Sequence, residues 1–350
     1  SHSRSTTRSK RRARDGGGIA QTLTAATGRR PLPKRRPAAR RATVRRYTTV
    51  ALFMSPWIIG FSVFILYPAL ASLYYSFTNY DLLSTPSFVG LDNYRFMFTK
   101  DPQFWQAMRN TIRMICVGVP LSMLVALGTA MLLTRPRRGV KGYRTILFLP
   151  TMAPPVAAAL AFFVIFNPAT GPVNQLLSGI GIKNPPLWFY DPFWSKWGLL
   201  FLGLWVVGQT MIIYLAGLLD VPRQLYEAAD IEGASPWQKF RHVTLPSLSP
   251  VLFFTLVIGV IAGFQYFTQA YVASFAVSGQ ATEEASAAVG SPQGSLLFYS
   301  IYLYLKGFSD FRMGYASAMA WMLLLLTLAC TALLIRSSRH WVHYQAGGFK

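Results

Sequence analysis

Apolar runs of about twenty residues alternate with short polar connections from Thr48 almost to the end of the chain. Six of them stand out: Thr48–Tyr74, Thr111–Leu133, Arg144–Phe166, Trp197–Leu219, Pro250–Tyr271 and Gly314–Ile335. A hydrocarbon core about 30 Å thick is crossed by roughly 20 helical residues. Lipid offers no partner to an open backbone N–H or C=O, so continuous spans of this length must be helical. The pattern predicts an all-α membrane protein with six transmembrane helices. Pro68, Pro120, Pro154 and Pro155 are expected to kink or locally unwind their spans. The third run, FLPTMAPPVAAALAFF, is expected to break near Pro150–Pro155.

Composition supports this reading. Hydrophobic residues make up 52% of the 350 and charged residues only 13%, about half the usual charged share of a soluble domain. The charge that remains is unevenly placed. Of 34 Lys and Arg, 26 fall before the first span, in the second–third and fourth–fifth connections, or in the tail. Eight fall on the other side: Arg95, Lys100, Arg109, Arg113, Lys183, Lys196, Lys306 and Arg312. The positive-inside bias then puts both termini in the cytoplasm.

Residues 1–46 carry fifteen Lys and Arg with many Gly and Pro. They are expected to form a disordered basic arm that enforces topology and touches anionic lipid headgroups. The arm accounts for most of the net charge of +22, so nucleic acid is not the expected partner. It is not read as a secretory signal, because no cleavage site follows and the first span is too long. The expected organisation is this arm, a six-helix membrane domain over 47–336, and a cytoplasmic tail over 337–350. Cys116 and Cys330 lie in different spans, and the histidines (His2, His242, His340, His343) are scattered, so neither a disulfide framework nor a metal site is implied.

One connection has its own chemistry. Residues 220–248 gather Asp220, Glu227, Asp230 and Glu232 from a chain with only twelve acids. Asp220 is a candidate N-cap with Pro222 in the first turn, and Gly233 supplies a left-handed stop. Ser235 with Gln238 forms an S-x-x-Q capping box, with Pro236 at the first helical position. Pro246 and Pro250 are expected to end the second helix. In the first helix Leu225, Ala228, Ala229 and Glu232 share a face at helical spacing, and Trp237 and Phe240 share one in the second. A cytoplasmic helical hairpin results; by spacing alone it either packs on itself or docks elsewhere.

Here the residues resemble a known family. Glu227-Ala228-Ala229, then Glu232-Gly233-Ala234, Phe240 and Leu245-Pro246 look like the EAA loop of binding-protein-dependent ABC importer permeases, with Glu232 where Asp is usual. SPWIIGFSVFILYPALASLYYSFTNYD, FVGLDNYRFMF, the Asn110-Thr111 pair, FLPTMAPPVAAALAFFVIFNPATGPVNQLL and YSIYLYLKGFSDFRMGYASAMAW are similar to the carbohydrate-uptake subfamily, first-permease type. The match covers roughly residues 50–336. The segment around 275–295 is longer than the family's short outward loop.

The resemblance implies a type I ABC importer permease fold and a set of partners. These are a second permease subunit, two ABC ATPase subunits that carry the ATP and Mg, and an extracytoplasmic sugar-binding protein. It implies that Glu227, Ala228, Ala229, Glu232, Gly233, Ala234, Phe240, Leu245 and Pro246 form the ATPase-coupling segment, with Glu227 pairing with a basic residue. The chain itself holds no G-x-x-x-x-G-K-[ST] phosphate loop and no nucleophile elbow, so an enzymatic role has little support.

Polar groups inside spans are the candidates for a substrate path, because they are costly in lipid and face the bundle interior. Gln209 and Tyr214 in the fourth span, and Gln265 and Gln269 in the fifth, qualify. Trp205, Phe264 and Trp321 offer ring faces for stacking on a sugar. Interhelical hydrogen bonding and ordinary packing remain the alternative for each. FVGLDNYRFMF is expected to rest on the outer membrane surface, and outward loops around Asn184–Asp191 and Gly279–Ser295 are possible contacts for a binding protein. Two other function classes stay open: an ATP-independent channel or secondary carrier, and a basic-armed membrane scaffold. The first predicts buried mid-span charges or internal repeats, and neither is found.

Overall fold

The computed structural model describes residues 37–134, 138–278 and 290–343. It divides into two compact units between Val63 and Phe64. Most of the expected disordered arm, part of the long 275–295 segment and half of the tail lie outside the described residues. The last ten residues of that arm, 37–46, are helical.

The first unit is built on α1 (Pro37–Phe61). Its side chains from Tyr47 onward are almost all exposed, Phe53 and Trp57 among them. The apolar stretch from Val50 to Phe61, exposed almost throughout, is what a lipid or a partner helix must cover. A π-turn at Ser62–Leu66 sits just before Pro68.

The second unit opens with α2 (Tyr67–Tyr75), a two-residue hairpin of β1 (Thr78–Asn79) and β2 (Ser87–Phe88), and α3 (Asp92–Thr99). The β-strands are antiparallel, Thr78 opposite Phe88. FVGLDNYRFMF does not lie free. Asn93 Nδ2 donates to the carbonyls of Ser76 and Thr78, the Tyr94 hydroxyl donates to Ser76 Oγ, and Met97 is fully buried.

The long α4 (Pro102–Thr134) runs unbroken through Pro120, so no local unwinding occurs there. It is followed by α5 (Val140–Phe148), α6 (Pro155–Ile165), α7 (Pro172–Gly179), α8 (Trp194–Trp205) and α9 (Gly208–Asp220). The connection then forms α10 (Arg223–Ile231) and α11 (Pro236–Lys239), and α12 (Leu245–Phe264), α13 (Thr268–Ser278), α14 (Tyr299–Tyr304) and α15 (Met313–Ser338) complete the chain. Among the described residues, four helical segments are long and apolar enough to span a membrane, and two bent pairs raise this to six. The third span is bent by 102° before Pro155, where the sequence predicts a break, and the fourth by 48° between Trp205 and Gly208.

Because α4 is about 50 Å long at 1.5 Å per residue, it orders the core. Phe104, Ala107 and Met108 belong to a large aromatic cluster with Phe298, Tyr299 and Tyr315. Ile115 meets Val260 and Phe264 further along. Ala126, Ala130 and Leu133 join Met211, Tyr214 and Leu248 near the other end. In the middle, α4 and α12 touch closely. A Cβ at Gly263 would lie 2.5 Å from Ile115 Cγ1, and one at Gly259 would lie 2.9 Å from Val119 Cγ1. This is the small-xxx-small device of membrane helix packing. At the aromatic end the Asn110-Thr111 pair clamps the segment before α14. Asn110 Nδ2 donates to Gly294 O and Leu297 O, and Thr111 Oγ1 accepts from Tyr299 N.

Candidate functional site

The charged connection folds as two short helices at the Leu133 end of α4. Its capping box is present: Ser235 Oγ accepts from Gln238 N at 3.4 Å, and Gln238 Oε1 accepts from Ser235 N at 2.7 Å. Gly233 has φ +74°, the left-handed value that lets the chain turn between the helices. Asp230 pairs with Lys239 across that turn. Tyr226 Oη and Thr244 Oγ1 are 2.9 Å apart, tying α10 to the base of the fifth span. The hairpin is thus closed at two points, and the capping box fixes the start of α11.

Two expectations for this segment need correction. Asp220 caps nothing: it is the last residue of α9, and α10 begins at Arg223 after Pro222. Proline pushes its predecessor into extended backbone, and Val221 has ψ 123°, so the break falls after Asp220. Pro246 and Pro250 do not end the second helix. A π-turn, Phe240–Thr244, joins α11 to α12 without a gap, Pro246 lies in the first turn of α12, and Pro250 lies within it. The carbonyl that Pro250 cannot serve is taken by Ser249 Oγ, 2.7 Å from Pro246 O. From Pro236 the hairpin and the fifth span are one helical run.

The predicted coupling residues split by exposure. Glu227, Ala228, Glu232 and Gly233 are exposed, while Ala229 and Ala234 are half-buried. Phe240 packs against the cluster formed by Leu133, Val221 and Leu248, and its ring lies 5.4 Å from that of Trp237. Leu245 is exposed and Pro246 half-buried. Sequence reasoning missed Ile231, which is 88% exposed; Trp237, which it named, is 67% exposed. No residue of α10 is buried. A hairpin that leaves Leu225, Ile231 and Trp237 exposed presents a surface suited to another protein.

The candidate path residues are more dispersed. Trp205 and Gln209 flank the bend between α8 and α9, and both are exposed; the Trp205 ring lies 5.4 Å from that of Phe162. Gln265 and Gln269 flank the interruption between α12 and α13, the first exposed and the second half-buried. Trp321 is half-buried in α15. Tyr214 and Phe264 are packed away. Tyr214 is fully buried with its hydroxyl 2.6 Å from Thr255 Oγ1, and Phe264 is buried beside Ile115. A cleft of ≈ 220 Å³ between α4, α8 and α12 is lined by Gly118, Ser122, Leu204, Gly263 and Tyr266, and by none of the predicted path residues. The Tyr266 hydroxyl there is buried without a hydrogen-bond partner, which sequence reasoning also missed.

Comparison with known proteins gives a consistent picture. Residues 118–341 match the family model described as binding-protein-dependent transport system inner membrane component. The chain is 41% identical over 295 residues to a probable ABC transporter permease protein, YesP, of Bacillus subtilis (strain 168), covering 84% of this chain and 91% of that protein. It is 34% identical over 306 residues to the lactose transport system permease protein LacF of Rhizobium radiobacter, covering 85% and 97%. In fold it is similar to a subunit in the crystal structure of a bacterial ABC transporter involved in the import of the acidic polysaccharide alginate. That match has a TM-score of 0.70 at 24% identity and covers 85% of this chain and 98% of that one.

Proposed function

The chain belongs to the family of binding-protein-dependent transport system inner membrane components, and from that membership we propose that it is the permease subunit of an ATP-driven sugar importer. The relatives named for lactose and for arabinooligosaccharides support the solute class. The observation that carries the coupling role is the closed hairpin with its uncovered tip. Two ties join its helices, Asp230 to Lys239 and Tyr226 to Thr244, yet Ile231 and Trp237 stay 88% and 67% exposed. A rigid element with an open apolar end is built to be pressed by something else.

In this reading the hairpin faces the cytoplasm, with both termini, and seats in a groove of one ATPase subunit. Glu227 meets a basic residue there, and Ala228 and Ala229 allow close approach. Two ATPase subunits hold the ATP and Mg; this chain supplies no catalytic group. Closure of the ATPase pair displaces the hairpin, and the continuous helix from Pro236 carries the movement into the fifth span. A second permease subunit completes the path, and an extracytoplasmic sugar-binding protein delivers the solute. Gln209, Gln265 and Gln269, each beside a bend or interruption, offer hydrogen bonds to it, and Trp205 and Trp321 offer ring faces.

The test is purification of the chain from its own cells with its bound subunits. We expect a co-purifying ATPase whose hydrolysis rises when the cognate binding protein and a sugar are added. A stable preparation that carries no ATPase, or one indifferent to every sugar and binding protein, would overturn the proposal.

A further inference from the structure

Three of the eight minority-side cations converge on one place. A cleft of ≈ 360 Å³ at the aromatic end of α4 is lined by Gln106, Arg109, Asn110, Arg113, Lys196 and Ser295, among others. Its floor is fixed. Gln106 Nε2 donates to Gln293 O, Asn110 Nδ2 holds Gly294 O and Leu297 O, and the hydroxyls of Ser195 and Ser295 lie 2.8 Å apart. Arg113 and Lys196 also line an adjoining cleft of ≈ 370 Å³ with Phe193, Trp197 and Leu200.

The charges are unbalanced. Arg109 and Arg113 stand one turn apart on α4, where like charges repel. Arg109 donates Nε to Trp105 O. Neither Arg113 nor Lys196 is ion-paired among the described residues, and no described carboxylate lines either cleft. Arg109 and Arg113 are exposed and Lys196 is half-buried, so their charge is open to an arriving anion. Held around a fixed polar floor, with the Phe193 and Trp197 rings beside them, these cations suit an oxyanion carried on a ring with apolar faces.

We infer that Arg109, Arg113 and Lys196 form a recognition site for carboxylate-bearing saccharides on the entry side of the path. Arginine meets the carboxylate through two parallel N–H···O bonds, Lys196 adds a point charge, and Phe193 or Trp197 takes the sugar face. The inference rests on the importer reading above and narrows its solute to acidic sugars.

The experiment measures initial uptake, in cells carrying the whole importer, of a labelled uronic-acid disaccharide and its C6-reduced neutral analogue. Wild type should favour the acid, and Arg113→Gln with Lys196→Gln should lower the acid-to-neutral ratio at least tenfold. Uptake of the neutral sugar alone, or of neither sugar, overturns this inference and leaves the importer reading to its own ATPase test. An unchanged ratio in the double variant also refutes the site. Bound phospholipid lost from the purified double variant, with the ratio intact, makes the cleft a lipid-phosphate site instead. Glu283 and Glu284 lie outside the described residues. If Glu283→Gln with Glu284→Gln lowers the ratio as the cation variant does, the cations serve an internal ion pair and the inference falls.

Discussion

The Tyr226 hydroxyl of α10 lies 2.9 Å from the Thr244 hydroxyl, where the π-turn passes into the fifth span. This bond crosses from the first helix of the hairpin to the element that the second helix continues. It makes the two helices move together rather than splay. Removing it with Tyr226→Phe should cost about 1 kcal/mol of stability, too little to prevent insertion. The sharper effect should fall on coupling. Uptake per ATP hydrolysed in reconstituted vesicles should drop several-fold, and Thr244→Val should reproduce the loss. Unchanged stoichiometry in both variants would remove this bond from the mechanism.

Gly233 and Glu227 test the turn and the contact separately. Proline at Gly233 demands φ near −65° where the chain holds +74°, so Gly233→Pro should misaim the second helix. Glu227→Lys reverses a fully available charge on an exposed face. Both variants should reach the membrane in normal amount while sugar uptake falls at least tenfold and ATP hydrolysis persists. Normal transport in either one shows that its residue is not needed for coupling.

Ile231 and Trp237 touch little within the chain, being 88% and 67% exposed. Ile231→Asp and Trp237→Ala should therefore leave the thermal unfolding midpoint of the isolated permease within a degree or two. Buried aromatic and aliphatic anchors often cost 2 kcal/mol or more of binding when truncated. The ATPase should accordingly be lost on gel filtration at concentrations where wild type retains it. A complex that survives both substitutions places the docking surface elsewhere.

The hairpin was legible because its signals are local. The Ser235–Gln238 box, Gly233 and Pro236 each act within four residues, and each appears where the spacing predicts. Pro246 and Pro250 misled for the opposite reason. Whether a proline ends a helix depends on who takes the orphaned carbonyl, and here a π-turn and Ser249 Oγ relieve it. Spans were legible from length and composition, including the break before Pro155. The path was less so. Gln265 and Tyr214 are both polar groups in apolar runs, yet one stays exposed while Thr255 engages the other's hydroxyl. Only three-dimensional packing separates them.

A buried knot at the far end of α4 gives a pH prediction. Asp101 caps the start of α4 through Phe104 N and accepts hydrogen bonds from the hydroxyls of Tyr302 and Tyr315. Burial first, then the hydrogen bond and charge of Asp101, push the Tyr302 phenol well above its ordinary value. In the unfolded chain the same phenol ionises near pH 10. Its contribution to stability is therefore complete below that value and is lost as pH climbs from there toward the folded value. Thermal unfolding in detergent between pH 8 and pH 11 should show a steeper alkaline decline for wild type than for Tyr302→Phe. Parallel curves would show that the knot does not govern alkaline stability.

Gln265 and Gln269 lie on either side of the interruption that ends α12, where Phe264 O accepts from Ser300 Oγ and Tyr266 buries an unpartnered hydroxyl. Backbone freed from a helix is tolerated at membrane depth only where protein or a watery cavity receives it. An exposed glutamine beside such a gap is therefore placed to reach solute. Gln265→Leu with Gln269→Leu keeps the volume and removes the amides, so folding and ATPase binding should be retained. Sugar uptake should fall at least tenfold with substrate-stimulated ATP hydrolysis falling in parallel, since hydrogen bonds to a sugar are worth about 1 kcal/mol or more each when desolvated. Uptake within twofold of wild type would mean that these amides bond to the second permease subunit, and the path would then have to run past other side chains.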